Sequence, residues 1–247
     1  MSTSTPLNIV CLGDSITADV ADVTCGTKTG WIDQLQAAFP GDTFTNAGVP
    51  GNNLEMMSTR LQNYSIVPGQ DNVMVIWGGT NDFAPGGGGP FAATAAAPVV
   101  NALATVVAKA EAAGWDAYVV SMLPRCCDPQ AVADAYNAGA RTLVDAAHFI
   151  DLAPLFQNTD GTANTSLYFE TNTTGQWTHP DQQGDDLIAS AMFKVVQSMT
   201  GVPSDVSGAG SLASLSAASG FGTVVTPAGS TFTWTPTAQA QTLASGC

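Results

Sequence analysis

Residues 7–17 read LNIVCLGDSIT, an apolar run that ends in a glycine, an aspartate and a serine. The apolar part, 7–12, has the length and composition of a buried β-strand. Gly13 and Asp14 interrupt the apolar pattern, and a helical segment starts around Ser15. This order is typical of a parallel α/β sheet and puts Ser15 just beyond the carboxyl end of the first strand.

The same alternation continues along most of the chain. Five segments have the composition of short strands: 7–12, 43–47, 73–77, 117–122 and 148–152. Five others carry apolar residues at helical spacing: 31–39, 54–64, 91–113, 129–147 and 183–199. Strands separated by helices predict a five-stranded parallel sheet covered on both faces, which is a three-layer α/β/α domain. Ligands bind such sheets beyond the carboxyl ends of the strands.

The composition changes at residue 201. The α/β domain is predicted over 1–200, and 201–247 form a C-terminal extension whose single charged residue is Asp205. Two segments, 223–226 and 231–235, flank a Pro-Ala-Gly-Ser turn, which predicts a β-hairpin. A hairpin of this size cannot hold a core of its own. It would pack on the main domain, join another chain or belong to a linker.

The charge of the chain is one-sided. Its 247 residues include 6 Lys+Arg against 20 Asp+Glu, for a net charge of −14, and 45% are hydrophobic. The apolar content is sufficient for a substantial core. An acidic surface repels phosphate backbones and anionic membranes, so we expect no nucleic-acid partner. No apolar run approaches the about 20 residues that span a bilayer.

The cysteines leave two interpretations open. Cys25 and the pair Cys126-Cys127 fall in predicted loops after strands, so a disulfide could join them, and unpaired thiols are the alternative. Cys11 is predicted to be a buried thiol, and the pairing of Cys247 is left open. Low charge and few lysines favour an extracellular location, although residues 1–6 lack the features of a signal peptide.

Three short motifs carry hydrolytic chemistry: GDSIT at 13–17, GTND at 79–82 and HPD at 179–181. A serine hydrolase takes its nucleophile, its base and its oxyanion donors from separate parts of the fold. Ser15 is the candidate nucleophile, with a helix N-cap as the alternative interpretation. Of the two histidines, His148 begins a strand at the opposite edge of the sheet, and this leaves His179 as the candidate base.

These motifs, together with NAG at 46–48 and the helical pattern after His179, resemble the blocks of the SGNH (GDSL) hydrolase superfamily. The resemblance covers about residues 7–199. Within the superfamily, the chain resembles the carbohydrate O-acetylesterase members. It implies a flavodoxin-like sandwich with Ser15 as nucleophile and His179 as base. It also implies that the Gly48 N–H and the Asn81 side-chain amide stabilise the oxyanion. A turn glycine and a turn asparagine are the alternatives.

One position departs from the pattern of that superfamily. Three residues before the histidine it usually has an Asp that orients the imidazole, and this chain has Gln176 there. The Gln176 amide oxygen or a backbone carbonyl could orient His179, and the carboxylate of Asp160 or Glu170 could substitute.

The function predicted from these residues is hydrolysis of a carboxylic ester, favouring an acetyl group on a carbohydrate, through an acyl-enzyme. Four aromatic residues are predicted to contact the sugar: Trp77, Phe83, Tyr168 and Trp177. A short-chain lipolytic esterase or a thioesterase is one alternative. A non-catalytic carbohydrate-binding or structural module on the same fold is another. We expect no metal and no cofactor, because no ligand spacing or phosphate-binding loop is present. The oligomeric state is left open.

Overall fold

The computed structural model describes residues 5–19, 28–84, 95–125, 128–170 and 177–200, and two short strands at 224–225 and 231–232. Its central sheet has five parallel strands: β1 (Leu7–Gly13), β2 (Thr43–Gly48), β3 (Asp71–Trp77), β4 (Asp116–Val120) and β5 (Phe149–Ile150). They lie in the order β2-β1-β3-β4-β5. The predicted five-stranded parallel sheet is confirmed.

Seven helices accompany the strands in the described residues: α1 (Ser15–Ala18), α2 (Trp31–Ala38), α3 (Leu54–Arg60), α4 (Thr80–Phe83), α5 (Ala96–Ala112), α6 (Gln130–Ala140) and α7 (Gln182–Met199). The helix predicted to reach residue 147 ends at Ala140. Its place is taken by a turn in which the Asp145 carboxylate accepts the N–H groups of Ala147 and His148. That turn leads directly into β5.

The helices cover both faces of the sheet because strand side chains point alternately to either side. On one face, strand residues such as Leu12 and Ile76 share a core with side chains of α3, α5 and α6. On the other face, Trp31 of α2 meets Trp77 of β3 edge to face, with ring centroids 5.8 Å apart. The three-layer α/β/α arrangement is therefore confirmed.

The register of the strands brings three loops to one rim. Gly13 pairs with Gly48 of β2 on one side and with Trp77 of β3 on the other. The carboxyl ends of β1, β2 and β3 therefore lie level. The segments that follow them contain Ser15 and Asn81.

A small antiparallel hairpin, which the sequence pattern did not predict, delivers His179. Strand β6 (Tyr168–Glu170) pairs with β7 (Trp177–Pro180), and Phe169 lies opposite His179. His179 itself lies in β7, and the helix predicted from residue 183 begins at Gln182. Strands of three and four residues are too short to produce a recognisable alternation.

The chain divides into two units, Met1–Val195 and Val196–Cys247. In the second unit, β8 (Val224–Val225) pairs antiparallel with β9 (Thr231–Phe232), at the place of the predicted hairpin. The division into domains at residue 200 stays a prediction. Among the described residues, no helix is both long enough and apolar enough to cross a membrane.

Candidate active site

Ser15 and His179 meet at the rim although 164 positions separate them in the chain. The Nε2 atom of His179 lies 2.7 Å from the Oγ atom of Ser15, which is hydrogen-bond distance. Ser15 is the first residue of α1, and the N-cap is Asp14, whose Oδ1 accepts the N–H of Ile16 at 2.9 Å. The alternative in which Ser15 caps the helix therefore does not apply, and its hydroxyl faces the imidazole.

Gly48 lies where the backbones of β2 and α1 come closest. A Cβ atom at this position would stand 2.0 Å from the backbone nitrogen of Ala18, so only glycine fits. The Gly48 N–H already donates a 3.0 Å hydrogen bond to the side-chain oxygen of Asn46. It could serve a bound oxyanion by sharing that hydrogen or by displacing the Asn46 side chain.

Asn81 is buried in α4, close to the loop that precedes α3. Its Nδ2 donates a 2.9 Å hydrogen bond to the carbonyl oxygen of Asn52. An amide nitrogen has two hydrogens, so one remains for a ligand. The neighbouring Asp82 accepts the N–H of Leu54, at 3.2 and 3.3 Å for its two oxygens, which fastens α4 to the start of α3.

Among the described residues, none forms a hydrogen bond with the Nδ1 atom of His179, on the side of the ring that faces away from Ser15. This atom is buried, and Phe169 stacks on the ring at 5.8 Å between centroids. Asp160 accepts from Thr162 within its own exposed turn, and among the described residues it makes no hydrogen bond with the His179 Nδ1 atom. Gln176 and the side chain of Glu170 lie outside the described residues. The prediction that one of them orients the imidazole stays open.

Burial and two cations favour the neutral form of His179. Burial, together with the positive charges of Lys28 and Arg125, lowers the pKa of His179 to about 4. Lys28 is buried and pairs with Asp19 at 2.8 Å and Asp185 at 2.7 Å. The imidazole is therefore neutral at pH 7, as a general base requires.

The pKa values of two carboxyl groups near Ser15 are raised, whereas that of His179 is lowered. Burial, with a smaller contribution from the nearby Asp82, raises the pKa of Asp14 to about 7. Burial raises the pKa of Asp82 itself to about 6. Both side chains hold loops by accepting hydrogen bonds from backbone N–H groups.

Three of the four predicted sugar-contacting aromatic residues are core residues. Trp77, Phe83 and Tyr168 are 3%, 0% and 3% exposed, so the structure corrects this prediction. Trp77 donates its Nε1–H to the Ser121 carbonyl, and the Tyr168 hydroxyl donates to the Pro124 carbonyl. Phe83 packs edge to face on Tyr136. Side chains at the end of a buried strand can turn inward as readily as outward, which the sequence does not reveal. Trp177 is half-buried and keeps its candidacy.

His148 lies at the amino ends of the strands, away from the rim. Its Nδ1 contacts Asp145 at 2.7 Å and its Nε2 contacts Asp116 at 2.9 Å. His148 and Ser15 thus lie at opposite ends of the strands, His148 at the amino ends and Ser15 at the carboxyl ends, as expected. Of the cysteines, Cys11 is free and buried in β1. The other four, Cys25, Cys126, Cys127 and Cys247, lie outside the described residues, so the predicted disulfide stays a prediction.

The sequence did not reveal two basic residues that contact this site. Lys28 donates to the Pro180 carbonyl, next to His179, at 2.8 Å. Arg60 in α3 donates to Gly13 and Ala47 at the rim. The scarcity of Lys and Arg in the chain was the available signal, because a rare buried cation usually has a specific partner.

An open groove of about 480 Å³ lies along the start of α3, next to these loops. Five of its six lining residues have polar side chains, and the sixth is a methionine: Asn52, Asn53, Glu55, Met56, Thr59 and Arg60. Met56 is exposed by about half. Asn52 connects the groove to the candidate site, because its carbonyl accepts the Asn81 amide.

The comparison with known proteins agrees with this geometry. The sequence model of the GDSL-like Lipase/Acylhydrolase family matches residues 11–187. The chain belongs to this family. It is accordingly a carboxylic ester hydrolase of the GDSL type. No curated protein matches it in sequence.

Solved structures of GDSL proteins share the fold at low sequence identity. A lipolytic GDSL-family protein from Veillonella parvula is 21% identical, with a TM-score of 0.58, covering 76% of this chain and 97% of its own. An acetyl xylan esterase is 18% identical, with a TM-score of 0.59 and coverage of 76% and 99%. An acetyl-xylooligosaccharide esterase from Geobacillus stearothermophilus, a point mutant, is 19% identical, with a TM-score of 0.60 and coverage of 79% and 96%.

Proposed function

We propose that this GDSL hydrolase cleaves its ester through an acyl-enzyme formed on Ser15. The observation that carries the proposal is the 2.7 Å distance between Ser15 Oγ and His179 Nε2. Ser15 Oγ attacks the acyl carbon while His179 takes the hydroxyl proton. When the bond to the leaving alcohol breaks, His179 returns that proton to the alcohol oxygen. Water then attacks the acyl-enzyme, with His179 again as base, and releases the acid and free Ser15.

The oxyanion of each tetrahedral intermediate would be held by three donors. We propose the N–H of Ser15, the N–H of Gly48 and the second hydrogen of Asn81 Nδ2. One such donor typically lowers the barrier by about 3 kcal/mol. Gly48 would contribute once its hydrogen is shared with, or released from, Asn46.

The substrate class we propose is an acetyl ester on a carbohydrate. The α3 groove supports it, since amide, carboxylate and hydroxyl groups suit sugar hydroxyls, and Met56 offers an apolar surface to a sugar ring. Two proteins of similar fold carry acetyl xylan and acetyl-xylooligosaccharide esterase activity in their names. A half-buried Trp177 near His179 is consistent with a sugar-contacting role.

A serine-directed fluorophosphonate tests the mechanism. We expect it to inactivate hydrolysis of p-nitrophenyl acetate, and peptide mass spectrometry to find the adduct on Ser15. Ser15→Ala should lose the label and at least about 10³-fold in kcat. Ser58→Ala is a matched control, since Ser58 accepts from Lys109 on the helical layer. A label on another residue, or an active Ser15→Ala variant, would refute the nucleophile.

A substrate panel tests the specificity. We expect kcat/KM for acetylated xylooligosaccharides to exceed that for p-nitrophenyl butyrate and acetyl-CoA. A preference for the butyrate ester would indicate a lipolytic esterase, and one for acetyl-CoA a thioesterase. Turnover of none of them, without labelling at Ser15, would favour a non-catalytic module.

A further inference from the structure

We infer that Arg60 is a positioning residue for the oxyanion hole. One guanidinium binds the two chain segments that carry the Ser15 and Gly48 donors and the Asn52 side chain, whose residue in turn contacts the Asn81 donor. It does so without touching the reacting atoms. This inference rests on the proposed function, because it concerns the same tetrahedral intermediate. It adds a residue that none of the motifs contains.

The Arg60 side chain forms hydrogen bonds with three separate chain segments. From the last turn of α3, its Nη2 donates to the Gly13 carbonyl at 2.8 Å and its Nη1 to the Ala47 carbonyl at 2.9 Å. Its Nε donates to the side-chain oxygen of Asn52 at 2.7 Å. The guanidinium is planar and presents its donors in a fixed fork, so these three bonds fix the ends of β1 and β2 relative to the loop that precedes α3.

The bond to Ala47 acts on the Gly48 donor directly. The Ala47 carbonyl and the Gly48 N–H belong to one planar peptide unit, so fixing the direction of the carbonyl also fixes that of the N–H. A cationic donor on the carbonyl polarises the amide and strengthens the N–H as a donor at its other end. Arg60 thus sets both the aim and the strength of this donor.

The bond to Asn52 acts on the Asn81 donor through one intermediate residue. Arg60 holds the side chain of Asn52, and the Asn52 backbone carbonyl accepts one Asn81 Nδ2 hydrogen at 2.9 Å. Because the amide group is planar, occupying one hydrogen fixes the direction of the second. That second hydrogen is the one assigned to the oxyanion.

The bond to Gly13 acts on the Ser15 segment. The Gly13 carbonyl, two residues before the nucleophile, also accepts the N–H of Val49 at 3.1 Å. Arg60 therefore joins the end of β1 to the end of β2. An arginine at a helix C-terminus can simply neutralise the helix dipole, but it then extends into solvent, and a lysine serves equally well. Arg60 is half-buried and bonded to other elements instead.

The test compares Arg60→Lys with Arg141→Lys, using p-nitrophenyl acetate. Arg60→Lys keeps the charge but cannot make three bonds in a plane. We expect its kcat to fall about 10- to 100-fold at little changed KM, as for partial loss of oxyanion donors. The rate of fluorophosphonate inactivation should fall in parallel, while the pH profile stays in place because His179 is not touched. Arg141, exposed and paired with Asp151, should tolerate the same exchange.

A double-mutant cycle separates positioning from general stability. If Arg60 acts partly through Asn81, Arg60→Lys and Asn81→Ala together should lose less than the product of the single losses. Asn52→Ala, which removes only one of the three acceptors, gives a second route should Arg60→Lys fold poorly. Its kcat should also fall, without a matching drop in Tm.

Two results would overturn the inference: kcat of both variants within about twofold of wild type, or losses that multiply independently with Asn81→Ala. Failure of the proposed function looks different. In that case the wild-type protein itself would not be labelled at Ser15.

Discussion

Lys28 donates a 2.8 Å hydrogen bond to the carbonyl oxygen of Pro180, the residue that follows the proposed base. The ammonium is held in place by Asp185, which is almost fully buried, and it lies over the Phe169 ring at 5.5 Å. That same ring stacks on His179. A fixed positive charge therefore stands beside the imidazole and disfavours its protonated form.

The first prediction concerns the pH dependence of kcat/KM. A histidine whose pKa is lowered stays neutral down to lower pH. With a pKa of about 4, His179 therefore remains a competent base in mild acid. We expect the acid limb of the profile near pH 4 instead of the about 6.5 of an ordinary histidine. Assays from pH 3.5 to 9 measure it. His148→Gln should leave the limb unmoved, and a limb near pH 6.5 would contradict the prediction.

The second prediction contrasts the two histidines. His179→Ala should lose nearly all esterase activity, because it removes the proton acceptor of Ser15. His148→Ala should keep kcat but lower Tm, because it breaks contacts with Asp116 and Asp145. Activity and thermal melts on both variants check this. Loss of activity in His148→Ala alone would reverse the assignment.

The third prediction concerns position 176. If it faces Nδ1 of His179, Gln176→Asp supplies a carboxylate that stabilises the imidazolium and raises its pKa. The acid limb should then move to higher pH, and kcat should rise. Gln176→Ala is the control for loss of the side chain alone. An unchanged rate and profile in the Asp variant would direct the search to Glu170→Gln and to backbone carbonyls.

The fourth prediction concerns the close contact at Gly48. Gly48→Ala should lower both Tm and kcat, because the added carbon would meet the Ala18 backbone at 2.0 Å. Gly41→Ala is the matched control, since a Cβ there meets nothing within 4 Å. Thermal melts and ester hydrolysis compare the two. Equal Tm values would show that α1 moves aside without cost.

The fifth prediction concerns the C-terminal extension. The proposed catalytic residues lie within Met1–Val195, so a chain ending at residue 200 should hydrolyse p-nitrophenyl acetate with a similar kcat. The full-length chain is the control. An insoluble product would show instead that the catalytic unit needs the extension to stay in solution.

Strands β1 and β3 were predictable because each is a short, nearly continuous apolar run. β1 and β3 are buried along most of their length, and such runs identify strands in parallel sheets. The β6–β7 hairpin was not predictable, since its two strands are too short to show a period. The hairpin depends on the pairing of β6 with β7 and on the packing of Phe169 against His179. The pattern of apolar residues in the sequence predicts neither of these contacts.

The candidate site divides in the same way. Ser15, Asn81 and His179 stand in motifs whose order is informative, so the sequence identified them. The direction in which Trp77 points was not available, because it depends on Trp31, which is distant in the chain. Arg60 reads as an ordinary basic residue near a helix end. Only the three-dimensional arrangement shows its bonds to the ends of β1 and β2.

Helix α1 consists of a single turn, Ser15–Ala18, and Asp19 ends it with a φ of 56°. A macrodipole grows with the number of aligned peptide units, and one turn contains few of them. The electric field that this helix exerts on an anion at Ser15 is correspondingly weak. Negative charge in the transition state must then be stabilised by individual hydrogen-bond donors in direct contact with it. Rates in such an enzyme should respond steeply to donor displacements of a fraction of an ångström, and only slightly to ionic strength or to remote surface charge.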